Sequence, residues 1–192
     1  MGRGKIVGEK IKALRESKNI SLKELAEQTC LSEEQLLVIE QDGIMPSLGP
    51  LIKIARVLGV RLGTFLDDDD STGPVVCRKD KSHGSISFSN GSTNARKHMN
   101  YFSLAGAKSG RQMEPFIINI DACVEKDFIL SSHEGEEFIY VLEGAIEINY
   151  GKEVYQLEEG DSIFYDSIVE HHVHGGCVNG AKILAVVYSP LQ

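Results

Sequence analysis

The stretch SSHEGEEFIYVLEG (residues 131–144) sets an imidazole and a carboxylate four positions apart, His133 and Glu137, ahead of an apolar run closed by a Glu-Gly turn. Neutral imidazole and carboxylate are good ligands for zinc, iron, nickel or manganese. If the run is a strand, alternation puts Glu137, Ile139 and Val141 on one face. Were that face an interior, Glu137 would be a carboxylate among aliphatic side chains, costly unless neutralised or bonded to a cation. A metal would relieve that cost; so would a buried arginine or a bound ligand. A second concentration of imidazole lies in HHVH (171–174), where His172 and His174 share the strand face opposite to His171. A one-residue slip would invert which of them points inward.

The chain around these residues has 192 positions, enough for one large domain or two small ones. Its hydrophobic content of 42% and charged content of 25% are those of a soluble globular protein. No apolar run approaches the ~20 residues of a membrane span, and the polar, basic N-terminus is no secretory signal. The four cysteines, at 30, 77, 123 and 177, form no CxxC pair and suit reduced thiols, so a cytoplasmic location is expected. Net charge is −8, unevenly divided: residues 1–66 carry ten Lys/Arg against eight Asp/Glu, and residues 67–192 ten against twenty. The change falls at LDDDDSTGP (66–74), an acidic run followed by turn-forming residues that reads as an interdomain linker. The expected organisation is a first domain over 1–66, a linker and lead-in strand over 67–80, and a second domain over 81–192.

Before the linker the apolar spacing is helical. Ile6, Ile11 and Leu14 mark a first helix ending near Ser17–Asn19. In SLKELAEQT (21–29), Ser21 and Glu24 have the spacing of a capping box. A second cap, Ser32 with Gln35, starts SEEQLLVIEQ (32–41). Asp42-Gly43 stops that helix, Pro46-Ser47 opens another that ends at Gly59, and RLGTFL forms a last short turn. Two short capped helices separated by about three residues are the skeleton of a helix-turn-helix. With Leu25-Ala26, Leu31-Ser32, Ile39-Glu40, Pro46-Ser47-Leu48 and Ile54-Ala55-x-x-Leu58-Gly59 in register, this stretch resembles the Cro and phage-repressor type (XRE family) DNA-binding domain over about sixty residues.

That resemblance implies double-stranded operator DNA as a partner. It places the contacts at Ser21, Lys23, Ser32, Glu33, Glu34, Gln35, Leu37, Val38 and Gln41. Two departures stand out. Cys30 occupies the turn where the family has glycine, and the reading helix carries neither Lys nor Arg, the residues that supply most phosphate contacts. Compensating charge would come from Lys10, Arg15, Lys18, Lys23, Lys53 or Arg56. A domain this small needs a twofold partner one DNA turn away, hence a homodimer.

Beyond the linker, short runs rich in Val, Ile, Phe and Tyr recur between Gly, Asp and Asn: ISFS, NYFSLA, EPFIINI, EEFIYVL, AIEINY, VYQL, SIFY, HHVH and KILAVVYS. Strands at this spacing predict a sandwich or barrel; residues 82–100 are polar and have no clear assignment. HEGEEFIYVLEGAIEI (133–148), YQLEEGDSIFYDS (155–167) and HHVH resemble the two motifs of the cupin superfamily over about ninety residues. The resemblance implies an all-β jelly-roll and one divalent metal on His133, Glu137 and His171. Ser131 stands where the first motif has its first histidine, Asp166 where the second has proline, and Gly175 where it has asparagine. Ser131 and Tyr140 are the expected ligand contacts.

The expected fold is therefore an all-α five-helix helix-turn-helix domain followed by an all-β jelly-roll. The expected function is a transcriptional regulator whose barrel senses a small-molecule effector, with no catalytic residues assigned and no membrane partner. A metal-dependent cupin enzyme (oxygenase, isomerase or epimerase) with an appended DNA-binding domain is the alternative. A barrel that serves only dimerisation is a third reading.

Overall fold

The computed structural model describes residues 3–41, 45–66, 73–78, 86–87, 99–108, 110–122, 130–176 and 180–190. The Asp42-Gly43 helix stop, the acidic run over 67–72 and most of 82–98 lie outside them.

Five helices come first: α1 (Arg3–Ser17), α2 (Leu22–Thr29), α3 (Glu33–Gln41), α4 (Leu48–Val57) and α5 (Leu62–Leu66). Both expected capping boxes are present. The Ser21 hydroxyl accepts from the Glu24 N–H while the Glu24 carboxylate accepts from the Ser21 N–H, and Ser32 with Gln35 repeats the exchange. Each cap satisfies helix-end donors that would otherwise lack partners. Between α2 and α3, Cys30 takes the left-handed conformation (φ 54°, ψ 35°) that the family's glycine adopts freely; a β-carbon there costs about 1–2 kcal/mol.

The helices close over Val7, Ile11, Leu25, Leu36, Leu51, Ile54, Leu58 and Phe65, all nearly inaccessible. A partly buried ion pair borders this core. Arg15 sends Nε and Nη2 to the two carboxylate oxygens of Glu40, at 2.7 and 2.8 Å, and Nη1 to the Ile20 carbonyl at 3.0 Å. That fork ties α1 to α3.

All nine expected strand segments form strands: β1 (Ile86–Ser87), β2 (Met99–Ser103), β3 (Met113–Ile120), β4 (Glu136–Glu143), β5 (Ala145–Tyr150), β6 (Glu153–Glu158), β7 (Ser162–Asp166), β8 (His171–Gly175) and β9 (Ala181–Tyr188). They make a six-stranded sheet in the order β1-β2-β3-β9-β4-β7 and a three-stranded sheet in the order β6-β5-β8, every pairing antiparallel. This is the jelly-roll that the period-2 patterns require. Its interior is apolar: Phe116, Ile118, Ile139, Val141, Ile183, Ala185 and Val187 from the larger sheet, Ile146, Ile148 and Leu157 from the smaller. Glycine is required at Gly135, just before β4. Its φ is +108°, and a β-carbon there would collide with the Tyr188 carbonyl oxygen. That tight passage brings the chain from His133 into β4 two residues before Glu137.

Candidate metal centre and DNA-facing helix

Three elements deliver the donors. His133 precedes β4, held by its N–H on the Ser167 carbonyl (2.9 Å). Glu137 is the second residue of β4, on its inward face with Ile139 and Val141. His171 opens β8, opposite Tyr150 of β5, and its backbone exchanges two 2.9 Å hydrogen bonds with Ser131. The register thus settles the strand-face question: His171 points inward, while His172 and His174 stand opposite Asn149 and Glu147, with His174 Nε2 3.2 Å from Glu147. All three donor residues are buried, and their ligand atoms lie within 4.8 Å of one another.

The hydrogen bonds define what the donors present. His133 Nδ1 lies 3.1 Å from the Glu134 carbonyl and His171 Nδ1 2.8 Å from the Val169 carbonyl. A carbonyl only accepts, so both Nδ1 atoms carry the proton and both Nε2 lone pairs are directed elsewhere. Both Nε2 atoms approach the same carboxylate oxygen, Glu137 Oε1, at 2.9 and 3.6 Å. Two lone pairs and a carboxylate oxygen converging on one point repel unless a proton or a cation stands among them. Metal-bound histidines hold their second ring N–H on a backbone carbonyl in this way. Donors about 2.0–2.2 Å from a metal lie about 3–3.4 Å apart, and the two distances to Oε1, 2.9 and 3.6 Å, bracket that spacing. The residues fit a divalent metal with two imidazoles and one carboxylate oxygen, which leaves coordination positions open.

Glu137 has no arginine partner among the described residues. Burial alone raises its pKa; where a proton rather than a metal stands between Nε2 and Oε1, the hydrogen bonds and charge of His133 and His171 outweigh burial and hold the carboxyl below its usual range. Its other oxygen, Oε2, accepts from the Tyr165 hydroxyl at 2.7 Å. Tyr165 is pushed well above its ordinary value, first by burial and then by the Glu137 charge and bond, so it stays a neutral donor.

The structure separates the two expected ligand contacts. Ser131 lines the cavity over the three donors, beside His133. Tyr140 does not: it alternates outward from Glu137 and Ile139, in register with Ser162 and Leu184 on the outer face of the sheet. The tyrosine at the site is instead Tyr165, the cross-strand partner of Glu137. Alternation in SIFYD, with Ile163 and Tyr165 on one face, was the available signal; the pairing of β7 with β4 was not visible.

On the helical side, Ser32, Glu33, Glu34, Gln35, Leu37 and Gln41 are exposed along α3 and Val38 is half-buried, with Ser21 and Lys23 exposed at the start of α2. Ser21, Ser32 and Gln35 also serve as caps. The basic side chains divide differently from expectation. Arg15 is committed to Glu40, Arg56 bonds Glu134 of the barrel, Lys53 borders the cleft between helices and barrel, and Lys10 reaches the Thr64 carbonyl. Lys18 and Lys23 remain exposed.

Residues 11–65 match the helix-turn-helix family and residues 124–187 the cupin domain family. The chain is 25% identical over 174 residues to the HTH-type transcriptional regulator PuuR of Escherichia coli K12, covering 85% of this chain and 84% of that protein. The chain therefore carries an XRE-type helix-turn-helix domain followed by a cupin domain, the make-up of a DNA-binding transcriptional regulator. An HTH_3 family transcriptional regulator from Vibrio cholerae shares the fold of this cupin regulator over 97% of both chains, at a TM-score of 0.68 and 22% identity. So does hydroxypropylphosphonic acid epoxidase from S. wedmorenis, at 0.51 and 24% identity over 96% of this chain and 98% of that one. Both regulators and an enzyme thus use this arrangement of domains, and function has to be argued from the site.

Proposed function

We propose that this cupin regulator binds operator DNA as a homodimer through α3 and that its barrel senses a small-molecule effector at a divalent metal held by His133, Glu137 and His171. The observation that carries the metal is the convergence of both Nε2 lone pairs on Glu137 Oε1, with each Nδ1 held on a backbone carbonyl. Zinc, iron, nickel and manganese all suit this donor set. Residues 1–66 act as the DNA-binding unit and 81–192 as the sensing unit, in the cytoplasm. No helix among the described residues is long and apolar enough to cross a membrane.

A homodimer has a surface available. The outer face of the larger sheet carries an unbroken apolar row across four strands, Pro115–Val186–Phe138–Phe164, with Phe164 62% exposed. An apolar face of this kind marks an association site, and a helix-turn-helix needs a twofold mate to span two half-sites.

Elemental analysis of protein purified without added metal tests the centre. Stoichiometric metal that disappears in the His133→Ala, His171→Ala double variant supports it; trace metal indifferent to both changes refutes it. For DNA, salt-dependent binding to fragments upstream of its own or adjacent genes is expected, and failure to bind any of them at low salt refutes the regulator.

The second reading is a metal-dependent cupin enzyme, an oxygenase, isomerase or epimerase. The open coordination positions favour it, since a substrate can reach the metal there. Turnover by the metal-loaded chain would establish it.

A further inference from the structure

The cavity over the three donors is not enclosed by the barrel alone. Leu48 and Gly49, at the start of α4, complete its wall. A β-carbon at Gly49 would stand 3.4 Å from Ser131 Cβ and 3.9 Å from His133 Cδ2, in ordinary contact with both. Three, four and seven residues on, the same face of α4 continues as Ile52, Lys53 and Arg56. These border a cleft of ≈ 580 Å³ that His133 also lines. At its far end Arg56 Nη1 bonds Glu134 Oε1. The opposite face of α4, with Leu51, Ile54, Ala55 and Leu58, is the centre of the helical core. One helix is therefore both a wall of the sensing cavity and a core element of the DNA-binding domain.

The cavity has two kinds of lining. Ser131, His133, Glu137 and His171, with Tyr101 and His172, are its polar lining, and Ile118, Ile139, Ile183 and Val187 its aliphatic lining. Its volume of ≈ 70 Å³ admits a handful of water-sized groups at about 10–15 Å³ each. Sites for larger ligands run to roughly 300–1,000 Å³.

We propose that the effector is a small molecule with a metal-chelating oxygen head and a short aliphatic body, seated between the centre and α4, and that the bare backbone of Gly49 sets how large it can be. This rests on the metal-sensing reading above. A molecule that outgrows the cavity must push on Leu48 and Gly49. Because α4 is rigidly packed into the helical core, that push reaches the domain carrying α3. Effector size is thereby converted into a displacement of the DNA-binding unit.

The test uses the full-length chain freed of metal. Co(II), whose visible absorption reports its coordination, is titrated first. Acetohydroxamate follows, a two-oxygen chelator with a one-carbon body. In the wild type the chelator should alter the Co(II) spectrum and the hydrogen exchange of residues 48–57. Gly49→Leu overfills the site, so it should weaken acetohydroxamate binding to the Co(II)-loaded protein by about tenfold or more. Gly49→Ala adds only a methyl in ordinary contact, keeps the fold, and should weaken it by about two- to fivefold. Equal chelator affinity in all three proteins overturns the proposal, as does unchanged exchange in α4. Failure of the wild type to bind Co(II) overturns the metal centre and this proposal together; Co(II) binding with no dependence on Gly49 overturns this proposal alone.

Discussion

Tyr165 and Glu137 face each other across β7 and β4, and the tyrosine hydroxyl donates to Glu137 Oε2 at 2.7 Å. That bond occupies one carboxylate oxygen and turns the other toward His133 and His171, so Glu137 offers a single donor atom. Tyr165→Phe should leave the barrel folded and lower metal affinity by about 10–100-fold, the usual cost of losing a partner that orients a ligand. Competition against a chromophoric chelator measures it. Unchanged affinity would remove Tyr165 from the centre.

The low-lying Glu137 carboxyl predicts a pH dependence of stability. Burial opposes its charge, but the histidine bonds outweigh burial, so its folded pKa lies below its unfolded one. Its contribution is therefore complete above the unfolded value of about 4.3 and is lost as pH falls below it. In metal-free buffer, the Tm gap between wild type and Glu137→Gln should hold from pH 5.5 toward 4.5 and narrow on further acidification. A gap that widens in acid would show the sign to be wrong.

Much of this architecture was legible because it depends on local period. Ser21 with Glu24 and Ser32 with Gln35 announced two helices, and alternation outlined all nine strands. Pairing is non-local, and there the reading was blind. Alternation in EEFIYVL sets Tyr140 on the face opposite Glu137 and Ile139, so the two could not share one site, but which face the sheet buries depends on distant strands. Nothing in SIFYD says that Tyr165 lands opposite Glu137. The charge ledger failed likewise: Arg15 and Arg56 counted as DNA-facing until their partners Glu40 and Glu134, 25 and 78 positions away, were in view.

The Arg15–Glu40 fork should be costly to break from one side. Arg15→Met leaves the buried Glu40 carboxylate without its partner and should cost about 3 kcal/mol in urea unfolding of the helical domain, whereas Glu40→Gln leaves a partly exposed guanidinium and should cost less. Replacing both with apolar residues should cost less than the sum of the two. An additive double variant would mean that the pair contributes no coupling.

At Cys30 the left-handed backbone carries a strained β-carbon. Cys30→Gly relieves about 1–2 kcal/mol of it, less the extra freedom glycine gains when unfolded. A net stabilisation of up to about 1 kcal/mol is expected in urea unfolding. A destabilised variant would show that the side chain contributes more than its strain costs.

The reading helix makes the most specific demand on DNA binding. Arg15 and Arg56 are paired with Glu40 and Glu134, while Lys23 on α2 and Lys18 ahead of it are exposed, as are Glu33 and Glu34 at the start of α3. Lys23→Ala should weaken binding to every sequence alike and reduce the slope of log affinity against log salt by about one. Glu33→Gln with Glu34→Gln removes two charges that repel phosphate, so affinity for random-sequence DNA should rise at low salt. If either glutamate accepts from a cytosine amino group, the same change should lower affinity for the operator by about 1–3 kcal/mol. Opposite movement of the two affinities, measured side by side by fluorescence anisotropy, identifies α3 as the helix in the major groove. Parallel movement would assign the glutamates to helix capping alone and place the base contacts elsewhere.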